Sequence, residues 1–287
     1  AADWFFDFFK EQAGGLLNPT QQDYIEENVD PVGKTDETWG WLVTVESAIY
    51  DGKTALIKLK VTAPEDVILD ASQYCFTIQE LVIDGQDNSK YAGGITNGRV
   101  EDADELPNTI DMLVTVRIDS RDMTFYSYPQ WKLKLGNLVS MELDVEKSEF
   151  HEFSIRPGTW EFDLDFEIRD GMRELVDTPV EAWGQYDMSF EEDIPINVTS
   201  LRLSALTMEL NYVYPDPEDA LGALDMCDVR VVLKDGTEVE AFPKVSSFGK
   251  ERVGWMRFEM SVPIDPEDVD HVILYKEITV LAPKETE

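Results

Sequence analysis

Gly40-Trp-Leu-Val-Thr-Val-Glu-Ser-Ala-Ile-Tyr-Asp-Gly-Lys-Thr-Ala-Leu-Ile-Lys-Leu-Lys-Val-Thr-Ala-Pro-Glu-Asp-Val-Ile-Leu-Asp70 decides the fold class. In its first half Trp41, Val43 and Val45 alternate with Leu42, Thr44 and Glu46; in its second Ala55, Ile57, Leu59 and Val61 alternate with Leu56, Lys58, Lys60 and Thr62. A period of two predicts two strands. The Asp51-Gly52 dipeptide between them predicts a tight turn, with glycine supplying a positive φ. A hairpin with an apolar face is marginal in water unless something covers that face, so the pair is read as the founding hairpin of a β-sandwich.

The same alternation recurs outward from this stretch. Tyr74 to Ile83 reads as a strand, as do Ile110 to Ile118 and Thr159 to Asp170. In the last of these Trp160, Phe162, Leu164, Phe166 and Ile168 oppose Glu161, Asp163, Asp165 and Glu167. Trp131 to Leu135 and Val139 to Val145 read as a hairpin turning at Gly136-Asn137, and Val180 to Met188 as a further strand. The polar stretch Ser189 to Pro195 reads as a crossing into a second set of short strands, with a turn at Lys234-Asp-Gly236. Before all of these, Asp3 to Gln12 reads as an aromatic-rich helix ended by Gly14-Gly15. A second helix follows, with Asn18 or Thr20 as N-cap, Pro19 in the first turn and Tyr24 and Ile25 as apolar contacts. The expectation is an all-β protein of two β-sandwich, immunoglobulin-like domains with short N-terminal helices. Residues 1–190 hold the helices and first sandwich, and 191–287 a smaller sandwich of about seven strands. A chain of 287 residues suits two domains of ordinary size.

Two segments carry a family resemblance. Leu17-Asn-Pro-Thr-Gln-Gln-Asp-Tyr-Ile-Glu-Glu-Asn28 and the Val43-Thr-Val-Glu-Ser-Ala48 strand, Asp-Gly turn and Thr62-Ala-Pro-Glu-Asp-Val-Ile-Leu-Asp70 together resemble the extracellular domain of unknown function found in anti-sigma-factor-like membrane proteins of Gram-positive bacteria. Gly158-Thr-Trp160 and Thr199 to Leu206 are similar to later segments of that family. The resemblance implies an extracellular position downstream of a membrane anchor and carries no catalytic residue across. It also implies that a cytoplasmic segment, outside this sequence, meets a sigma factor. The start at Ala1-Ala2, without Met, fits an upstream leader or anchor.

Composition narrows the function classes. There are 24 basic and 59 acidic residues, a net charge of -35, so the summed field repels nucleic acid and anionic membrane surfaces. Cys75 and Cys227 fall in different expected domains, each in an apolar strand setting where a thiol behaves as a small hydrophobe. His151 and His271 lie apart, without a nucleophile elbow or a metal-ligand cluster. The run Glu161, Asp163, Asp165, Glu167 has the types used in glycoside hydrolysis, but in so acidic a chain it is read as a solvated strand face.

Calcium is a more natural use of the charge. Asp84, Asp87 and Asn88, in Asp84-Gly-Gln-Asp-Asn-Ser89, supply closely spaced oxygen ligands. Asp216-Pro-Glu-Asp219 and Asp265-Pro-Glu-Asp268 are weaker candidates that also read as turns. No other cofactor is expected. The expected role is non-enzymatic extracellular sensing of, or interaction with, an unidentified ligand or protein. The alternative is a carbohydrate- or wall-binding module using Trp39, Trp131 and Trp183, and a glycoside hydrolase is the third reading.

Overall fold

A computed structural model describes residues 2–71, 73–83, 98–99, 107–118, 120–121, 123–128, 130–144, 149–167, 169, 172–176, 180–186, 189–214, 224–225, 229–248, 253–275 and 279–281. The fold is all-β with two short N-terminal helices. The chain divides into two compact units, residues 28–168 and residues 2–27 with 169–287. No helix among the described residues is long and apolar enough to cross a membrane.

The first unit holds strands β1 (Asp30–Thr38), β2 (Trp41–Tyr50), β3 (Thr54–Thr62), β4 (Gln73–Ile83), β5 (Gly98–Arg99), β6 (Thr109–Arg117), β7 (Trp131–Asp144) and β8 (Glu149–Leu164). They form two four-stranded sheets, β1-β2-β3-β6 and β5-β4-β7-β8. All strand pairs are antiparallel. One core joins the inner faces, and it includes the alternating sets Trp41, Val43, Val45 and Ala55, Ile57, Leu59, Val61 as their period requires. Two buried indoles find backbone partners: Trp160 Nε1 donates to Trp41 O (3.2 Å) and Trp131 Nε1 to Phe125 O (2.7 Å).

Several elements differ from their reading in sequence. The turn after Tyr50 is present, but Gly52 does not adopt a positive φ. The Asp51 carboxylate builds the turn instead, accepting from Lys53 N–H (2.7 Å) and Thr54 N–H (2.8 Å). The expected hairpin at Gly136-Asn137 is one continuous strand, β7, paired with β8 throughout; the turn-like dipeptide is a bulge, with Asn137 at φ 52°. The polar segment 30–38 is a strand that no apolar alternation announces. Its inward-facing Lys34, Asp36 and Thr38 bond the free edge of β8: Lys34 Nζ donates to Asp163 O (2.6 Å), Asp36 Oδ2 accepts from Glu161 N–H (2.8 Å) and Thr38 Oγ1 donates to Thr159 O (2.9 Å). Every second residue of one edge strand thus satisfies the backbone of the other, and an open sandwich edge is sealed.

The second unit begins with α1 (Ala2–Gln12) and α2 (Pro19–Asn28) and continues with β9 (Arg173–Val176), β10 (Val180–Tyr186), β11 (Ser189–Leu203), β12 (Thr207–Val213), β13 (Leu224–Asp225), β14 (Val229–Leu233), β15 (Glu238–Phe248), β16 (Val253–Met260), β17 (Val269–Tyr275) and β18 (Thr279–Leu281). The expected boundary at residue 190 is therefore displaced. Ser189 to Pro195 is no crossing but the first half of β11, paired with β10 at Ser189 and again from Asp193 onward, and the helices belong with this unit. Asn18 shows why. It caps α2 reciprocally with Gln21, accepting from Gln21 N–H (2.8 Å) while its own N–H donates to Gln21 Oε1 (3.0 Å), and its Nδ2 donates to Asp235 Oδ2 (2.9 Å) in the turn after β14. In place of an immunoglobulin-like pair of sheets, hydrogen bonds join the strands into one ten-stranded sheet, β13-β10-β11-β12-β16-β15-β14-β17-β18 with β9 beside β11. The sheet curls far enough to bring β10 against β17.

A charge ladder crosses this sheet in register: Glu174 faces Arg202, Arg202 faces Glu209, and Glu209 faces Arg257. Glu209 and Arg257 are buried, with Arg257 Nη2 2.9 Å from Glu209 Oε1 and Arg202 Nη2 2.7 Å from Oε2. Removing the shared carboxylate in Glu209→Ala should cost about 3–5 kcal/mol in urea denaturation, because Arg257 stays buried without its counter-charge. The double change Glu209→Leu with Arg257→Met should recover most of that loss, and failure to do so would mean that packing, not charge, holds these strands.

Asp235 yields a pH-dependent expectation. Its carboxyl is held below the usual carboxylate range, first by the Thr237 N–H, with Asn18 contributing. It therefore binds its proton less readily folded than unfolded, so its stabilisation is present above about pH 3.8 and is lost as pH falls through the lower folded value. The stability gap between wild type and Asp235→Asn should close across that range, whereas a gap independent of pH would place the effect elsewhere.

Candidate functional site

The first unit contains a cleft of about 320 Å³ between the start of β1 and the segment following β8. A bulge creates it. Pro31 faces Ser47 but Lys34 faces Val45, so β1 carries one residue more than β2 over this interval, and Gly33 takes the positive φ of 63° that the kink requires. At the same level β2 has its own extra residue, Glu46, since Val45 faces Leu59 while Ser47 faces Lys58. Beyond Glu46 the inward set of β2 changes from Trp41, Val43 and Val45 to Ala48 and Tyr50, and these two line the cleft.

The floor is aromatic. Tyr50 meets Phe166 edge-on, with ring centroids 4.9 Å apart, and Phe166 stacks on Phe125 at 4.4 Å. The Tyr50 hydroxyl accepts from Glu167 N–H (3.0 Å), which ties β2 to the chain beyond β8. Asp30, Lys34, Asp165 and Glu167 form the rim. Lys34, besides its bond to Asp163 O, stands 3.6 Å from Asp165. Three carboxylates against one ammonium leave the rim acidic, above an apolar base of Val32, Ala48, Leu164 and Phe166. Such a site suits a ligand with a cationic or hydrogen-bond-donating group on an apolar body.

The residues singled out by sequence fall elsewhere. Asp84, Asp87 and Asn88 lie outside the described residues, as do Asp216 to Asp219 and Cys227. Asp265 caps a short 3-10 turn, its Oδ1 accepting from Glu267 N–H (2.9 Å), while the Glu267 carbonyl takes Lys234 Nζ (2.6 Å); this is the turn reading of that tetrapeptide. Among the described residues no group of three or more His, Cys, Asp or Glu side chains is placed to hold a metal ion. His271 Nδ1 lies 2.7 Å from Asp270 Oδ2, and His151 is exposed on β8. Cys75 is buried on β4. The acidic face of β8 is laddered with lysines: Lys132 is 2.9 Å from Asp163 and Lys134 is 3.4 Å from Glu161. The bond from Lys132 holds the Asp163 carboxyl below its usual range.

Of the three tryptophans considered for stacking on sugars, Trp131 is corrected to core: it is fully buried, with its indole N–H committed to Phe125 O. Trp183 lies on β10 opposite Pro195. Trp39 is 78% exposed at the tip of the β1–β2 hairpin, where it and Gly40 both have positive φ, and the Arg156 guanidinium lies 5.4 Å from its ring centre. The cleft residues themselves carry no local sequence signal, since β1 and β8 meet only when the sandwich closes.

No family model matches the chain, and no curated protein matches it. It is similar to a solved structure described as the crystal structure of the conserved domain protein from Bacillus anthracis, with a TM-score of 0.54 and 14% identity over 88% of this chain and 78% of that one. At that identity the likeness is one of fold, and it defines the class as all-β.

The clasp above the cleft can be tested directly. Asp36→Ala should cost about 1 kcal/mol, the ordinary net worth of one hydrogen bond. The Glu161 amide should exchange with solvent faster as a result; unchanged exchange there would show that β8 does not depend on β1.

Proposed function

We propose that this chain is a non-enzymatic binding region, acting outside the cell as the sensing part of a membrane-anchored, anti-sigma-factor-like signalling protein. The observation that carries the binding half of this reading is the cleft, whose polar groups are engaged in holding its shape. Lys34 is tied to Asp163 O and Asp165, and the Tyr50 hydroxyl to the Glu167 backbone. Groups fixed in this way form a preorganised receptor surface. The extracellular setting and the sigma-factor connection rest on the resemblance of residues 17–28 and 43–70 to the family described above. In this scheme a ligand or protein outside the membrane meets the sandwich, and a segment upstream of Ala1 meets the sigma factor.

The coding sequence upstream of Ala1 tests the scheme. One apolar span of about 20 residues is expected there, preceded by a Lys- and Arg-rich cytoplasmic segment. A cleavable signal peptide with no cytoplasmic segment would overturn the anchored reading.

A second reading, a wall- or carbohydrate-binding module, is favoured by Trp39. A bulky residue in the left-handed region is unusual, and here it presents an indole to solvent beside a guanidinium. Titration with cell-wall oligosaccharides should quench or shift tryptophan fluorescence in the wild type and not in Trp39→Ala if that reading holds.

A further inference from the structure

Glu46, Lys58 and Asp111 form a compact group on the outer face of the β1-β2-β3-β6 sheet. Lys58 lies between the two acids, with Nζ 2.8 Å from Glu46 Oε2 and 2.9 Å from Asp111 Oδ2. Strand register explains the meeting. Lys58 faces Leu113 and Lys60 faces Asp111, so Lys58 and Asp111 are diagonal neighbours on β3 and β6. Glu46, the extra residue of the β2 bulge, lies between Val45, which faces Leu59, and Ser47, which faces Lys58, so its side chain stays beside Lys58. Lys60 Nζ, 3.3 Å away, holds the other oxygen of Glu46.

The setting is unusual for an ion pair. β6 is buried on both faces: Asp111, Leu113 and Thr115 on the outer one are as enclosed as Ile110, Met112 and Val114 on the inner. Both carboxyl oxygens of Asp111 are shut from water, and neither has an aligned hydrogen-bond donor among the described residues. The lysine nitrogen, 2.9 Å from Oδ2, and the Lys60 charge beyond it favour the carboxylate, against the cost of burying it. Burial pushes the Asp111 carboxyl upward, with Lys58 opposing and Glu46 adding to the rise, and this favours the protonated acid. Glu46 is held below the usual range overall: burial pushes its carboxyl up, and the hydrogen bonds and charges of Lys58 and Lys60 outweigh that push.

We propose that Lys58 and Asp111 condense spontaneously after folding to form an intramolecular isopeptide bond, with Glu46 as the proton carrier. The Glu46 carboxylate accepts a proton from the Lys58 ammonium and leaves a neutral amine. The amine nitrogen attacks Cγ of the protonated Asp111, forming the N–C bond and placing the carbonyl electron pair on oxygen. Collapse restores the carbonyl and breaks the other C–O bond; the departing hydroxyl takes the proton from Glu46 and leaves as water. Glu46 then removes the surplus proton from nitrogen. One amide and one water are formed, no oxidant or co-reactant is consumed, and the charge of the group is conserved through the sequence. A desolvated lysine beside a general base is an activated nucleophile, and the fold holds it against its electrophile at contact distance. The bond would weld β3 to β6, and it stands whether or not the chain is an anchored sensor.

Mass spectrometry of the full 287-residue chain tests this. The denatured wild-type protein is expected to be lighter than its sequence by one water. Its tryptic digest should contain the Lys58 and Asp111 peptides joined and resistant to cleavage at Lys58. Glu46→Gln, which keeps the shape of the side chain, and Asp111→Ala should both have full mass; circular dichroism of Glu46→Gln checks that it has folded. Full mass in folded wild type would overturn the proposal. So would a lost water located as a succinimide at Asp51-Gly52, Asp84-Gly85, Asp170-Gly171 or Asp235-Gly236 with Lys58 still cleaved. A joined peptide formed to the wild-type extent in Glu46→Gln would equally contradict the mechanism.

Discussion

Two β-bulges stacked on neighbouring strands, at Val32-Gly33 of β1 and Glu46 of β2, govern the first unit. On one side of them β1 runs alongside β8 and closes the sandwich edge through Lys34, Asp36 and Thr38. On the other side the same strand stands away from β8, and the gap is the cleft floored by Tyr50 and Phe166. At the level of the bulges Glu46, the extra residue of β2, lies against Lys58. One local irregularity thus separates a sealed edge from an open site. Bulges act in this way because an added residue rotates every following side chain while leaving the strand paired.

Charge is the second constraint. A net charge of -35 works against compactness through self-repulsion. The described basic residues are placed where they offset it: Lys132 and Lys134 against Asp163 and Glu161, Arg202 and Arg257 on Glu209, Arg173 near Glu267. The exposed pairs among these contribute little individually. Their value lies in register, because like charges directly opposite across strands are disfavoured and alternating ones fit only one pairing. The buried ladder at Glu209 has more at stake, since Arg257 cannot return to water without the strand.

The parts of the fold legible in sequence were those written in apolar periodicity. The hairpin from Trp41 to Val61, the β8 set Trp160, Phe162, Leu164 and the cap at Asn18 all follow from local rules. The parts that were not legible depend on distant partners. Segment 30–38 looks like a loop because its inward residues are polar, and they are polar because they bond a backbone more than a hundred positions away. Ser189 to Pro195 looks like a linker because its acids and proline mask a strand paired with β10 at Ser189 and again from Asp193 onward. The helices precede the first sandwich in sequence but join the second unit through Asn18 and Asp235. The cleft has the same character: its two walls come from residues 30–34 and 164–167, and its floor changes parity at a bulge that no residue type announces.

Cross-strand nuclear Overhauser effects between β2 and β3 measure the bulge itself. With Glu46 as an extra residue, Val45 lies opposite Leu59 and Ser47 opposite Lys58, so contacts are expected between those two pairs. An unbroken ladder would place Glu46 opposite Lys58 and Ser47 opposite Ile57. Contacts between the latter pairs would remove the parity change at Ala48 and Tyr50, and with it the account of the cleft.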